Sequence, residues 1–175
     1  MTGLTTGPVT EGAGGGASPA VAVVRRLRAA GETLAVAESL TGGLLAARVV
    51  DVAGASAVLR GGVVAYATDL KHALLGVDAD LLAREGAVHP QVAEQMARGV
   101  RERLGATWGL ATTGVAGPDP QDGRAPGTVF LGLAGPLDGP LDEHLTVRSV
   151  ELRLSGNRAQ VRAWTVDAAL NLLLG

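Results

Sequence analysis

Short apolar runs alternate with helical patterns through the first two thirds of the chain, and this alternation limits the possible folds more than any other feature. The runs at residues 33–38, 61–67 and 107–114 predict strands, the second of them buried on both faces. The segments between them carry apolar residues at helical spacing and end at glycine or at capping residues. This order predicts an α/β domain with a mixed sheet between layers of helices.

The last third of the 175-residue chain predicts a hairpin followed by a helix. Residues 127–134 and 145–154 have the pattern of two strands joined by a turn at 135–140. The helix begins after Ser155-Gly156-Asn157. Its helical spacing predicts a buried stripe made of Val161, Trp164, Ala168 and Leu172.

These elements predict a single three-layer α/β/α domain over residues 18–175. Its sheet is mixed and largely parallel, and the domain closes with a C-terminal antiparallel hairpin plus helix. Residues 1–17 are rich in Gly and Thr and have no apolar period, so we expect a disordered tail. Hydrophobic residues make up 47% of the chain and aromatic residues only 2%, so the core must consist mainly of Ala, Val and Leu.

Charge and composition exclude several classes of function. With a formal net charge of −2, the chain lacks the excess of basic residues that is typical of a nucleic-acid-binding protein. The absence of Cys excludes disulfides and thiolate metal sites. The sequence has neither an apolar run long enough to span a membrane nor the layout of a signal peptide. We therefore expect a cytoplasmic protein without nucleic-acid or membrane partners.

Three predicted strand ends carry side-chain hydroxyl groups. Ser39 follows the first strand, Tyr66 ends the second, and Thr112 and Thr113 end the third. Ligands of open α/β sheets bind beyond the carboxyl ends of strands, so these residues predict a site. The turn after Ser39 leads into a helix, whose unpaired N-terminal N–H groups and dipole are expected to stabilise negative charge developing on a serine nucleophile. The alternative is that Ser39 only caps the helix.

Lys71 is the only lysine of the chain, since every other basic side chain apart from histidine is arginine. Only an amine can lose its proton near neutral pH when it is desolvated. A neutral Lys71 can take the proton of Ser39, with Tyr66 bridging the pair or tuning the pKa of the amine. Two alternatives stay open: a solvated surface lysine, or three side chains that only satisfy one another's hydrogen bonds.

Other chemistries fit the sequence less well. His72, His89 and His144 follow no predicted strand end, which argues against a Ser-His-Asp triad. No His or carboxylate pair has the spacing of metal ligands, so we expect neither a metal nor a cofactor. Arg158 and Arg162 lie one turn apart near the start of the last helix and can clamp a phosphate, or they form a solvated pair.

A set of short motifs then occurs in a fixed order and points to a family. The motifs are Ala37-Glu38-Ser39-Leu40-Thr41-Gly42-Gly43, Tyr66-x4-Lys71, Leu75-Gly76-Val77, Gly86-Ala87-Val88, Thr113-Gly114-Val115-Ala116-Gly117-Pro118, Gly127-Thr128-Val129 and Ser155-Gly156-Asn157-Arg158. Over about residues 19–174 the chain resembles the CinA C-terminal domain family, whose enzymatic members are nicotinamide-nucleotide amidases. Each motif alone is weak, but the ordered set is specific.

The resemblance implies an activity, a substrate and a role for individual residues. The reaction is hydrolysis of the carboxamide of nicotinamide mononucleotide, a phosphorylated small molecule, to nicotinate mononucleotide and ammonia without a metal. Ser39 is implied as the nucleophile and Lys71 as the general base, assisted by Tyr66. Other residues are implied to contact the substrate or its oxyanion: Thr41, Gly42, Gly43, either Thr112 or Thr113, and Gly114. Arg158 is implied to hold the phosphate.

Three segments depart from the family pattern. The family often has Ser-Asn-Glu where this chain has Ala67-Thr68-Asp69, a Ser at His89, and Lys-Pro-Val where this chain has Arg124-Ala125-Pro126. One alternative function is therefore a catalytically inactive nucleotide-binding or protein-interaction module linked to competence and recombination. Another is hydrolysis of a different small amide or ester on the same pair. An Ala-rich helix surface would suit a homo-oligomer.

Overall fold

The computed structural model describes residues 18–136 and 145–175. The elements of this part of the chain are, in order, α1 (Pro19–Ala30), β1 (Leu34–Glu38), α2 (Leu44–Val50), a 3-10 turn (Ala55–Ala57), β2 (Leu59–Val64), α3 (Thr68–Leu75), α4 (Ala79–Glu85), α5 (Pro90–Leu104), β3 (Trp108–Gly114), β4 (Thr128–Pro136), β5 (Leu145–Arg153) and α6 (Arg158–Leu174). The predicted tail at 1–17, most of the predicted turn at 135–140 and His144 lie outside the described residues.

The five strands form one sheet in the order β2-β1-β3-β4-β5. β1 pairs in parallel with β2 and with β3, whereas β4 pairs antiparallel with β3 and with β5. Four strands therefore run in one direction and β4 runs in the other. The predicted mixed sheet with a C-terminal antiparallel hairpin and a closing helix is confirmed.

Helices cover both faces of the sheet. One core cluster joins apolar residues of α1, α2 and α6 to the sheet, and a second joins those of α3, α4 and α5 to its other face. Alternate residues of β1 serve the two clusters, since Leu34 and Val36 belong to the first, and Ala35 and Ala37 to the second. Among the described residues, no helix combines the length and the apolarity that a bilayer span requires.

Two local predictions are wrong. Among the described strands, β2 lies at the edge of the sheet and pairs only with β1, and its residues alternate between partial and full exposure rather than being buried on both faces. In α6 the buried stripe repeats every four residues from Val161, and Trp164 is 42% exposed beside Gly156. The stripe is instead formed by Val161, Thr165, Val166, Ala169, Leu170 and Leu173.

Candidate active site

The carboxyl ends of β1, β2 and β3 are neighbours and open into one cleft of about 410 Å³. Ser39 follows β1 directly, Tyr66 lies two residues after β2, and Gly114 ends β3. All three line the cleft, together with Arg158 from the start of α6 and the segment at 115–121. The sheet order therefore brings together residues that are far apart in the sequence, as the strand ends predict.

Ser39 and Lys71 form a buried pair at this cleft. The Lys71 Nζ donates to Ser39 Oγ at 3.1 Å, and its other acceptors are the carbonyl oxygens of Ala65 at 2.8 Å and Tyr66 at 3.3 Å. Lys71 is 0% exposed and Ser39 8% exposed. Two of the three amine positions are thus held by backbone oxygens, and the third is directed at the serine hydroxyl.

Burial changes the protonation of this amine. Desolvation lowers the pKa of Lys71 from 10.5 to about 8, while the negative charges of Asp122 and Asp69 act in the opposite direction. With a pKa of about 8, roughly one tenth of the amine is neutral at pH 7. A neutral amine in hydrogen-bond contact with a serine hydroxyl can act as its general base.

The N-terminus of α2 is occupied by Glu38, a residue that the sequence reasoning treated only as part of a motif. Its carboxylate is 1% exposed and accepts from the N–H groups of Gly43 at 2.9 Å, Leu45 at 3.0 Å and Ala46 at 2.8 Å. The expectation of unpaired helix N–H groups beside Ser39 is wrong, because this side chain binds them. An acidic residue shortly before a predicted helix was the available signal.

The backbone donors closest to Ser39 are therefore fewer than predicted. Gly43 donates to Glu38, and Gly42 donates to the carbonyl oxygen of Ser39 at 3.1 Å. In residues 18–136 and 145–175, the N–H groups of Leu40 and Thr41 have no acceptor. Leu40 lines the cleft, so its N–H is the candidate for holding an oxyanion, whereas Thr41 is 0% exposed. Gly42 and Gly43, at φ 58° and 94°, supply the left-handed turn that a side chain would strain.

The predicted threonines lie behind the cleft. Thr41 Oγ1 and Thr112 Oγ1 share a hydrogen bond of 2.8 Å, and Thr113 Oγ1 donates to the carbonyl oxygen of Ala87 at 2.7 Å. All three threonines are 0% exposed. Their side chains brace the turn and β3 in this geometry, whereas Gly114 reaches the cleft itself. The substrate contacts expected of these threonines stay predictions.

Arg158 forms part of the cleft wall. Its Nη1 donates to the carbonyl oxygen of Gly117 at 2.8 Å, and its Nη2 donates to Tyr66 Oη at 2.9 Å. A guanidinium has five N–H donors, so three remain for a ligand. The Tyr66 ring is exposed, and its hydroxyl contacts Arg158 instead of the Ser39–Lys71 pair. The hydrogen bond from Lys71 to Tyr66 goes to the backbone carbonyl oxygen of the tyrosine.

Arg162 does not share the position of Arg158. Its Nε donates to the carbonyl oxygen of Leu40 at 3.0 Å, and its Nη2 donates to that of Thr41 at 2.6 Å. It therefore contacts the backbone of the turn after Ser39. The two arginines therefore contact different segments, and spacing alone cannot separate their roles because their partners come from other elements.

The described histidines have structural partners. His72 Nδ1 lies 2.7 Å from the carbonyl oxygen of Val77, and His89 caps α5 by accepting from the N–H of Gln91 at 3.3 Å. Neither contacts Ser39. Within the described ranges, no three His, Cys, Asp or Glu side chains converge as metal ligands would.

Sequence comparison identifies relatives of the whole domain. The family model of the CinA C-terminal domain matches residues 17–175. A CinA-like protein of Frankia casuarinae is 59% identical over 141 residues, which are 81% of this chain and 31% of that protein. A putative competence-damage inducible protein of Desulforamulus reducens is 49% identical over 143 residues, 82% of this chain and 33% of that protein. The chain spans about a third of the length of these curated relatives.

Solved structures share the fold. The competence/damage inducible protein CihA from Agrobacterium tumefaciens is 34% identical, with a TM-score of 0.79 over 90% of this chain and 95% of that chain. A competence-damaged protein (CinA) superfamily protein from Escherichia coli is 30% identical, with a TM-score of 0.78 over 89% of this chain and 87% of that chain. Family model, relatives and structures agree, and the chain belongs to the CinA C-terminal domain family.

Proposed function

We propose that this protein hydrolyses the carboxamide of nicotinamide mononucleotide to nicotinate mononucleotide and ammonia, through an acyl-enzyme on Ser39. The observation that carries the proposal is the buried contact of 3.1 Å between Lys71 Nζ and Ser39 Oγ at the cleft. The choice of substrate follows from the resemblance of the motif set to the nicotinamide-nucleotide amidases. A cleft of about 410 Å³ falls within the range of about 300–1,000 Å³ usual for small-ligand sites.

The reaction begins with proton transfer. The neutral Lys71 amine accepts the proton of Ser39 while Oγ bonds to the carboxamide carbon, and the carbonyl oxygen becomes an oxyanion. The N–H group of Leu40, directly after the nucleophile, stabilises that charge. When the intermediate collapses, the C–N bond breaks, and the Lys71 ammonium gives its proton to the departing nitrogen, which leaves as ammonia.

Deacylation uses the same groups in the same order. A water molecule loses a proton to Lys71 and attacks the ester carbon, and the second tetrahedral intermediate again places its oxyanion at the turn. Lys71 then returns the proton to Ser39 as the ester bond breaks. The products are nicotinate mononucleotide and a regenerated Ser39–Lys71 pair.

Arg158 supplies the selection for a phosphorylated substrate in this proposal. It lies in the cleft wall with three N–H donors that its contacts to Gly117 and Tyr66 leave over. Guanidinium groups bind phosphate through paired, charge-assisted hydrogen bonds. The two contacts already present hold the side chain in the cleft before the substrate arrives.

The test is ammonia release by the purified protein, with nicotinamide mononucleotide and nicotinamide riboside compared in the presence and absence of a chelator. We expect equal amounts of ammonia and nicotinate mononucleotide, a rate that survives chelation, and a strong preference for the phosphorylated substrate.

Arg158→Ala should remove most of that preference, and Arg158→Lys should keep part of it. A folded protein whose Tm rises with the nucleotide but which releases no ammonia would contradict the proposal and favour a binding module.

A further inference from the structure

Arg162 crosses from α6 to the turn that follows the nucleophile. It donates to the carbonyl oxygens of Leu40 at 3.0 Å and Thr41 at 2.6 Å. Both of these turn residues are buried, at 4% and 0% exposure. Thr41 O has a second donor in the N–H of Leu44, at 3.2 Å, whereas Arg162 is the only donor to Leu40 O within the described part of the chain.

The contact to Leu40 fixes the direction of a second group. The carbonyl of Leu40 and the N–H of Thr41 belong to one planar peptide, and in a trans peptide they point in opposite directions. The cis bond that the described residues contain is at Gly117-Pro118, so this peptide is trans. Its N–H is also one of the two that have no acceptor in the described ranges. Holding the carbonyl therefore holds the N–H as well.

The turn needs such a constraint. Its next residues, Gly42 and Gly43, adopt φ 58° and 94° and have no side chains to limit other backbone conformations. Arg162 also brings a positive charge. It forms no ion pair with a described carboxylate, since the salt bridges found there are those of Arg84 and Arg153. A charged donor makes a stronger hydrogen bond to a carbonyl oxygen than a neutral donor does, and this adds to the constraint on the turn.

We infer that Arg162 is a positioning residue for catalysis: it holds the peptide between Leu40 and Thr41, and with it the turn after Ser39, so that the Leu40 N–H at the cleft stays available to the oxyanion formed at Ser39. The inference rests on the proposed function for the reaction concerned. The contacts of the guanidinium do not depend on that function. Removing a group that acts only on the charged intermediate lowers kcat and leaves substrate affinity nearly unchanged.

The kinetic test compares Arg162→Met and Arg162→Lys with the wild type and with Arg101→Met. Arg101 is a matched control, because its Nε also donates to a backbone carbonyl, that of Thr107, at 3.0 Å, at the opposite end of β3 from the cleft. We expect Arg162→Met to lower kcat about a hundredfold with KM within about twofold, as removal of oxyanion stabilisation does. Arg162→Lys should recover part of kcat, and Arg101→Met should keep it.

A second readout needs no turnover. Hydrogen exchange of the amides at 40–43 should speed up in Arg162→Met and stay unchanged in Arg101→Met, because only the first variant frees the turn. Unchanged exchange at 40–43, or a KM that rises as much as kcat falls, would overturn the inference. If the wild type itself releases no ammonia, the proposed amidase fails, and the exchange comparison still decides whether Arg162 holds the turn.

Discussion

Lys71 places an ionisable amine in a buried position beside the cleft. It is 0% exposed, and its pKa falls from 10.5 to about 8 because burial penalises the charged form. Asp122 and Asp69 limit the fall, since their negative charges favour the ammonium. The amine is thus mostly protonated at neutral pH and mostly neutral one pH unit above its pKa. This balance has separate consequences for stability and for rate.

The stability of the protein should rise with pH as a result. Between pH 8 and pH 10.5 the unfolded chain still binds the proton that folded Lys71 has lost, so the free energy of unfolding increases with pH. The shift corresponds to about 3 kcal/mol over that window. The window is nearly free of other groups, because the chain has one Lys, one Tyr and no Cys.

Urea denaturation of the wild type and of Lys71→Met across this pH range measures the effect. The rise should be present in the wild type and absent from the variant. Equal pH slopes in both proteins would contradict the lowered pKa.

The same lowered pKa predicts that kcat/KM rises through pH 8 and then levels off. Asp69→Asn should move that rise to lower pH, because it removes a negative charge that favours the ammonium form of Lys71.

The connection between β1 and α2 illustrates what one element contributes. The apolar run at 33–38, the Thr-Gly-Gly sequence and the helical pattern from Leu44 predict a strand, a turn and a helix, and the structure has them. The sequence does not predict that the Glu38 carboxylate turns forward to bind three N–H groups of the following helix. That contact depends on the path of the turn, which the left-handed Gly42 and Gly43 create.

Removing this carboxylate should destabilise the protein more than removing an ordinary cap does. Asp78→Ala is the matched control, because Asp78 caps α4 through a single bond to the N–H of Leu81 at 2.9 Å. An N-cap of that kind is worth about 1 kcal/mol. Glu38→Ala removes the acceptor of three buried or part-buried N–H groups, and we expect a loss of about 3 kcal/mol in urea denaturation. A loss no larger than that of Asp78→Ala would contradict the role of Glu38.

At the scale of the whole molecule, the strand order explains the site. The order β2-β1-β3 makes the ends that carry Tyr66, Ser39 and Gly114 neighbours, and α6 returns to the same edge with Arg158 and Arg162. Periodicity predicts the layers, and the strand ends predict the edge at which the site lies. Periodicity does not predict that β2 is the outermost strand of the sheet, nor which groups the two arginines contact. Both depend on contacts between elements that are distant in the sequence.

Ammonia release from nicotinamide mononucleotide by Ser39→Ala, measured beside the wild type at a pH above 8, tests the Ser39–Lys71 pair most directly. We predict a rate at least about a thousandfold below that of the wild type, with the Tm and the affinity for nicotinate mononucleotide retained. Lys71→Met should lose a similar factor, and the double variant should lose little more, because the two residues act as a unit. A folded Ser39→Ala protein that kept a tenth or more of the wild-type rate would contradict the account.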